Sequence, residues 1–282
     1  MHWLEQLHQV LVVGNYGQGT IKGYMGEMRL LFHYYHEKDV EQISEQDILN
    51  YVLFIKTVHG VGRDKCRAVA QSCSFFYKHV IKLPFVLPSK LYPRKQFLLP
   101  SVMTHEEIKQ LFTGSTEARQ RAVISLLYGC GLRLGEVQRL KLSDIDRSGK
   151  RILIRQGKGN KDRYVLLPAY VLNELEHYYR AYRPKVFLFE SKQLLGKPVH
   201  LRSVQTIVNS AMTSAGFDSG KFTSHSLRHS FATHMLDIGS DIHSIKTLLG
   251  HAKIETTMIY LHLQQSKRDA LVSPIDKLLD HE

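Results

Sequence analysis

The sequence predicts a mainly α-helical chain with a small antiparallel β-sheet, an α+β fold in two domains. Three observations lead there. The chain has 282 residues, and at roughly 150 residues per domain two domains are expected. Apolar residues recur at helical spacing along most of the chain, and strand-like alternation takes over only around 151–167. Between the halves, LPFVLPSKLYPRKQFLLPS gathers Pro84, Pro88, Pro93 and Pro100. Prolines at that density break helices and favour extended chain. The expected division is a helical domain over 1–83, a Pro-rich linker over 84–100 and a second domain over 101–282.

The first domain reads as a bundle of about four helices. A short opening segment is followed by Thr20 to Glu37, which sets Ile21, Tyr24, Met28, Leu31, Phe32 and Tyr35 at helical spacing. Ser44 is placed to cap the next helix, with Ile48, Val52 and Ile55 on one face. Arg63 to Ile81 continues through Cys66, Val69, Ala70, Cys73 and Phe76.

In the second domain, Thr104 and Glu107 form a capping box that opens a helix. Gln120 to Gly129 reads as a buried helix and Arg133 to Lys141 as another. Arg151 to Arg155 and Arg163 to Leu167 read as two strands, joined by QGKGNKD, whose glycines suit a hairpin turn. Helices follow near 169–182, 201–215, 225–238, 242–249 and 255–265.

Composition narrows the function. Hydrophobic residues make up 43% and charged residues 23%, which excludes disordered, collagenous and coiled-coil chains. No apolar run approaches the roughly 18 residues a membrane span needs, and Glu5 interrupts an opening stretch that lacks a basic start. Cys66, Cys73 and Cys130 have no metal-ligand spacing and cannot build a disulfide framework. A cytoplasmic protein without a membrane partner is therefore expected. The 38 Lys and Arg outnumber 26 Asp and Glu, giving +12. That excess is spread as +4 over residues 1–95 and +8 over 96–282, so both halves are suited to one polyanion.

Five short segments carry candidate chemistry: GCGLRLGE (129–136), GKGNKDR (157–163), HSLRH (225–229), LGH (249–251) and TTMIYLH (256–262). Taken singly, each is ordinary. Arg133 and Glu136 are spaced like a solvated helix pair. GKGNKDR lacks the G-x-x-x-x-G-K-[ST] pattern of a phosphate loop. Yet Arg139 to Arg163 holds nine basic residues and three acids, a density that favours a phosphate-contacting edge. His225 and His229 have the spacing of a zinc pair, but further ligands would be needed.

In this order, the five segments resemble the tyrosine recombinase (phage integrase) family, in which an Arg, a Lys, a His-x-x-Arg, a second His or Trp and a nucleophilic Tyr succeed one another. The resemblance spans about residues 100–265, and every position is filled, by Arg133, Lys158, His225, Arg228, His251 and Tyr260. It implies a helical, SAM-like core-binding domain over 1–83 and a catalytic domain over 101–282, closing on duplex DNA as a C-shaped clamp.

The resemblance also implies roles. Arg133 and Arg228, planar and permanently charged, would neutralise the non-bridging oxygens of a DNA phosphodiester. They would replace the metal ions of other nucleases. Lys158 would protonate the leaving 5′-oxygen, and Tyr260 would attack to form a 3′-phosphotyrosyl bond. A phenol with a pKa near 10 needs a base at neutral pH, and His225 is the candidate. His251 would hydrogen-bond the phosphate, and Glu136 would orient its basic neighbours. Because the covalent bond conserves the phosphodiester's free energy, neither ATP nor metal is expected as a cofactor. Lys161, Arg163, Lys65 and Arg67 are candidate DNA contacts.

The expected function is site-specific recombination: integration, excision, inversion or resolution. The first helix starts near the N-terminus, which points to a compact, Xer-like type without an arm-binding domain. Beyond Tyr260, Ser273 and Pro274 suit a helix start, with Ile275, Leu278 and Leu279 on one face. In the family such a tail helix enters a neighbouring subunit, so the expected assembly is a tetramer on two DNA sites. A second recombinase or an accessory protein is a further partner the resemblance allows. The competing readings are a type IB topoisomerase-like strand relaxer, a catalytically idle architectural DNA-binding protein, and a zinc hydrolase built on His225 and His229.

Overall fold

The computed structural model describes residues 2–83, 100–155, 162–194, 196–218 and 220–261. The chain divides into two units, Met1–Phe97 and Leu98–Glu282, and the proline-rich segment that separates the domains in the sequence lies outside the described residues from 84 to 99.

The first unit comprises α1 (His2–Val13), α2 (Gln18–Tyr34), α3 (Glu45–Thr57) and α4 (Arg63–Phe76). Their inward faces supply Leu7, Leu11, Ile21, Met28, Leu31, Ile48, Ile55, Val69, Cys73 and Phe76 to a single core. Helix α3 starts where a capping box stops the chain from continuing. The Asp47 N–H donates to Ser44 Oγ at 3.2 Å, and the Ser44 N–H donates to Asp47 Oδ2 at 2.7 Å. Lys38 Nζ also reaches that carboxylate, at 2.6 Å. Its hydrogen bond, then those of Ser44, hold Asp47 down at about 2. Beyond α4 the chain loosens into a π-turn, Tyr77–Ile81, that the sequence pattern alone reads as more α-helix.

In the second unit, the predicted Thr104–Glu107 box caps α5 (His105–Gly114). Helices α6 (Ala118–Gly129), α7 (Leu134–Arg139), α8 (Ala169–Tyr182), α9 (Leu201–Ser214), α10 (Ser224–Asp237), α11 (Ile242–Leu249) and α12 (Glu255–Met258) follow. The expected helix over 255–265 is thus one short turn within the described residues, which end at 261. The sheet has order β1-β2-β3, with β1 (Ile145–Asp146), β2 (Arg151–Ile154) and β3 (Arg163–Leu166) all antiparallel. The predicted hairpin pairs Ile152 with Val165 and Ile154 with Arg163. Its third strand is a two-residue edge, too short to leave an alternation in the sequence.

Helix α6 is the centre of the second core. Ala122, Val123, Ile124, Leu126 and Leu127 are buried around most of its circumference, which is the pattern of a helix enclosed by other elements. It packs against α8, α9 and α10. Helix α10 is likewise enclosed, burying Leu227, Phe231, Ala232 and Leu236 together with the polar Ser226, Arg228 and Ser230. A smaller cluster joins Phe231, Ile245 and Leu249 to Tyr260.

Candidate active site

The candidate centre is built from five chain segments: the starts of α7 and β3, α10 where it runs through the core, the end of α11, and the stretch from α12 to Tyr260. At α7, the Arg133 N–H donates to Glu136 Oε2 at 2.8 Å and the Arg133 Nη1 donates to Glu136 Oε1 at 2.9 Å. The residue pair spaced like a solvated helix contact is thus a helix start whose carboxylate points inward. Glu136 is 6% exposed.

Arg163, from β3, grips the same carboxylate with both prongs, Nη1 to Oε1 at 2.9 Å and Nη2 to Oε2 at 2.8 Å. Its Nε donates to the Leu248 carbonyl at 2.9 Å. Its position differs from the expectation of a DNA contact: the guanidinium is turned inward, because a buried carboxylate and a helix-end carbonyl both require donors.

Arg228 stands behind them on α10, its side chain 5% exposed against 27% for Arg133. It donates to the carbonyls of Gly131 and, at 2.6 Å, Leu249, and its Nη2 lies 3.3 Å from His251 Nε2. Gly131 must be glycine here: its φ is +62°, and a Cβ would sit 2.4 Å from the Phe231 ring. Its carbonyl is thereby free to face Arg228. Burial first, then Arg133, lowers the Arg228 pKa to about 9 against the opposing pull of Glu136, so the group is still cationic at neutral pH.

Burial alone would raise the Glu136 pKa, but hydrogen bonds and charge from Arg163, then Arg133, bring it down to about 2. Three guanidiniums therefore surround one carboxylate, and the surplus positive charge is what a bound anion would neutralise.

His251 follows the left-handed Gly250 that ends α11. Its Nδ1 is 2.9 Å from Thr257 Oγ1, a fully buried hydroxyl. Tyr260 is 1% exposed. Burial raises its phenol pKa, while Arg228 and Arg133 pull it back. Its hydroxyl lies 3.0 Å from His229 Nδ1.

The structure thus brings Arg133, Glu136, Arg163, Arg228, His251 and Tyr260 into one cluster. His225 is on the exposed first turn of α10, where its N–H meets the Thr223 capping hydroxyl. Lys158 and Lys161 lie outside the described residues. Lys65 and Arg67 belong to α4 in the first unit, where Lys65 Nζ is paired with Glu27 at 2.7 Å. Two partners lie outside the family motif: His229, which the sequence shows only as half of a zinc-spaced pair, and Thr257, which carries no signal beyond its place three residues before Tyr260. Among the described residues, no three His, Cys, Asp or Glu side chains gather as a metal site, and no helix is long and apolar enough to cross a membrane.

Comparison with known proteins agrees with this arrangement. Residues 101–267 match the phage integrase family, and residues 3–85 match the phage integrase N-terminal SAM-like domain. The chain is 32% identical to tyrosine recombinase XerC of Anoxybacillus flavithermus over 272 residues, covering 88% of each. It is 37% identical to tyrosine recombinase XerA of Thermococcus kodakarensis over 196 residues, 66% of this chain and 68% of that one. Its fold is similar to that of XerH recombinase in a post-cleavage complex on its difH substrate, with a TM-score of 0.73 and 22% identity over 91% of this chain and 80% of that one. With family signatures over both of its units and two tyrosine recombinases as relatives, the chain belongs to the phage integrase family, the tyrosine recombinases that break and rejoin DNA.

Proposed function

We propose that this cluster is the cleavage centre of a site-specific recombinase that acts on double-stranded DNA through a 3′-phosphotyrosyl bond on Tyr260. The observation that carries the proposal is the convergence of a buried phenol with Arg133 and Arg228, whose charges both bear on it, while His251 touches Arg228. A phosphodiester placed against Arg133 and Arg228 would lose its repulsion toward an attacking oxygen, and the charge that builds on the phosphoryl oxygens would be met by fixed cations. His251, held by Thr257, would donate to a phosphoryl oxygen, and His225, exposed on α10, would meet the same DNA strand. Lys158 would protonate the leaving 5′-oxygen. Glu136, held by Arg163, would position the arginines.

The broken phosphodiester is stored as an aryl ester, so rejoining consumes neither ATP nor a metal-activated water. The basic excess on both units, +12 over the chain, supports DNA as the partner, bound with an affinity that falls as salt rises. The amphipathic pattern of Ile275, Leu278 and Leu279 supports a tail helix donated to a neighbouring subunit in a cytoplasmic tetramer. Truncation after Val272 should leave single-site binding intact and reduce synapsis.

The test is a supercoiled plasmid carrying two copies of the target site, incubated in EDTA without nucleotide. Deletion or inversion products support recombination. Relaxed circles without recombinant products would assign the protein to strand relaxation instead.

A further inference from the structure

Deprotonating Tyr260 is the step that the six-residue set leaves least well served. His225 lies on the exposed first turn of α10. Both ring nitrogens of His251 are engaged, Nδ1 with Thr257 and Nε2 with Arg228. His229, one turn beyond His225 on the same helix, puts Nδ1 3.0 Å from the phenol oxygen, with ring centroids 5.5 Å apart. We propose that His229 is the catalytic base for Tyr260, accepting the phenol proton at Nδ1 as the oxygen attacks phosphorus. The inference rests on the reading of Tyr260 as nucleophile.

The proton balance is complete. Tyr260 Oη forms a bond to phosphorus as the bond from phosphorus to O5′ breaks. The phenol proton passes to His229 Nδ1, which requires the neutral ring to carry its own proton on Nε2, and O5′ takes a proton from the leaving-group acid. On rejoining, the 5′-hydroxyl returns its proton to the leaving-group acid as O5′ attacks phosphorus, the bond from phosphorus to Tyr260 Oη breaks, and the His229 imidazolium returns its proton to Oη.

Electrostatics make this base conditional on DNA. Burial first, then His225 and Arg228, depress the His229 pKa to about 4, so the ring is neutral at pH 7 and keeps a lone pair for the phenol. A phosphodiester anion seated against Arg133 and Arg228 cancels part of the cationic field that opposes an imidazolium. The base therefore gains strength when substrate arrives, and Tyr260 stays protonated without it.

The experiment measures single-turnover adduct formation on a nicked suicide duplex, at DNA concentrations above Kd, for wild type, His229→Gln, His229→Ala and Tyr260→Phe. His229→Gln should bind the duplex as wild type does and form adduct about 10²–10⁴-fold more slowly. A duplex with sulfur in place of the bridging O5′, whose leaving group needs no proton, should not restore that rate. Added imidazole should restore part of the His229→Ala rate. Adduct formation by His229→Gln within threefold of wild type, or full restoration by the sulfur substrate, overturns the proposal. With wild-type protein and the sulfur substrate, the one remaining proton transfer is the phenol's, so adduct formation should slow in D2O; equal rates in H2O and D2O also overturn it. Adduct formation by Tyr260→Phe would instead overturn the nucleophile assignment on which the proposal rests.

Discussion

Glu136 and Arg163 form a two-pronged ion pair, with both carboxylate oxygens within 2.9 Å of a guanidinium nitrogen. The same carboxylate takes the N–H and Nη1 of Arg133, and Arg163 continues to the Leu248 carbonyl. One acidic side chain thus fixes the beginnings of α7 and β3 against the end of α11. That placement helps fix Arg133 and Arg228 relative to each other, while Arg228 itself meets His251 Nε2 at 3.3 Å.

Arg163→Ala should remove that brace and leave a buried carboxylate short of partners. Breaking a buried pair from one side costs about 3–5 kcal/mol, so thermal denaturation should show a clear fall in Tm. Arg163→Lys should recover only part of it, since an ammonium cannot grip both oxygens. A lysine variant as stable and as active as wild type would show that the two-pronged geometry is unimportant.

Glu136 also sets an acid limit. Its pKa of about 2 lies below the ordinary 4.5. A group depressed in the folded state stabilises fully above its unfolded pKa and loses that contribution as pH falls through the folded value. Wild-type Tm should therefore drop between about pH 4.5 and pH 2. Glu136→Gln should be less stable at pH 7 and show a shallower fall in that window. Parallel curves for the two proteins would rule out this carboxylate as a source of the acid sensitivity.

Gly250 is required twice over. Its φ is +62°, and a Cβ would stand 2.9 Å from Arg163 Cδ and 3.0 Å from Nε. Left-handed backbone costs a residue with Cβ about 1–2 kcal/mol. Displacing Arg163 would add disorder to the arginine cluster. Gly250→Ala should lower Tm and slow cleavage more than it weakens DNA binding, as gel-shift and adduct assays run side by side would reveal.

Thr257→Val keeps shape and burial but removes the hydroxyl 2.9 Å from His251 Nδ1. Losing one such bond is worth about 1 kcal/mol, near fivefold in an equilibrium. Because His251 would then turn more freely, cleavage should slow by at least that factor while Kd for DNA stays unchanged. An unaltered cleavage rate would remove Thr257 from the orienting set.

The parts of the fold legible in the sequence are those with local causes. Ser44 with Asp47, and Thr104 with Glu107, start α3 and α5 through contacts three residues apart. The antiparallel pairing of β2 with β3 follows from the alternation in the two strand segments. The π-turn at Tyr77–Ile81 escaped because its apolar spacing continues that of α4. The order of Arg133, Arg228, His251 and Tyr260 was readable because the motif residues recur in a family order. Their supports were not. Arg163 looked like one more basic residue on a basic hairpin, and only long-range contact with Glu136 and Leu248 turns it inward. His229 and Tyr260 are 31 residues apart, a pairing that no local pattern encodes.

The most direct measurement places a nicked suicide duplex carrying the target site with wild type and with Tyr260→Phe, in EDTA, and resolves the products on a denaturing gel. Wild type should give a covalent protein–DNA adduct attached through a 3′-phosphate, and Tyr260→Phe should give none. An adduct of equal yield from Tyr260→Phe, or a wild-type adduct that forms only when metal is supplied, would contradict this mechanism.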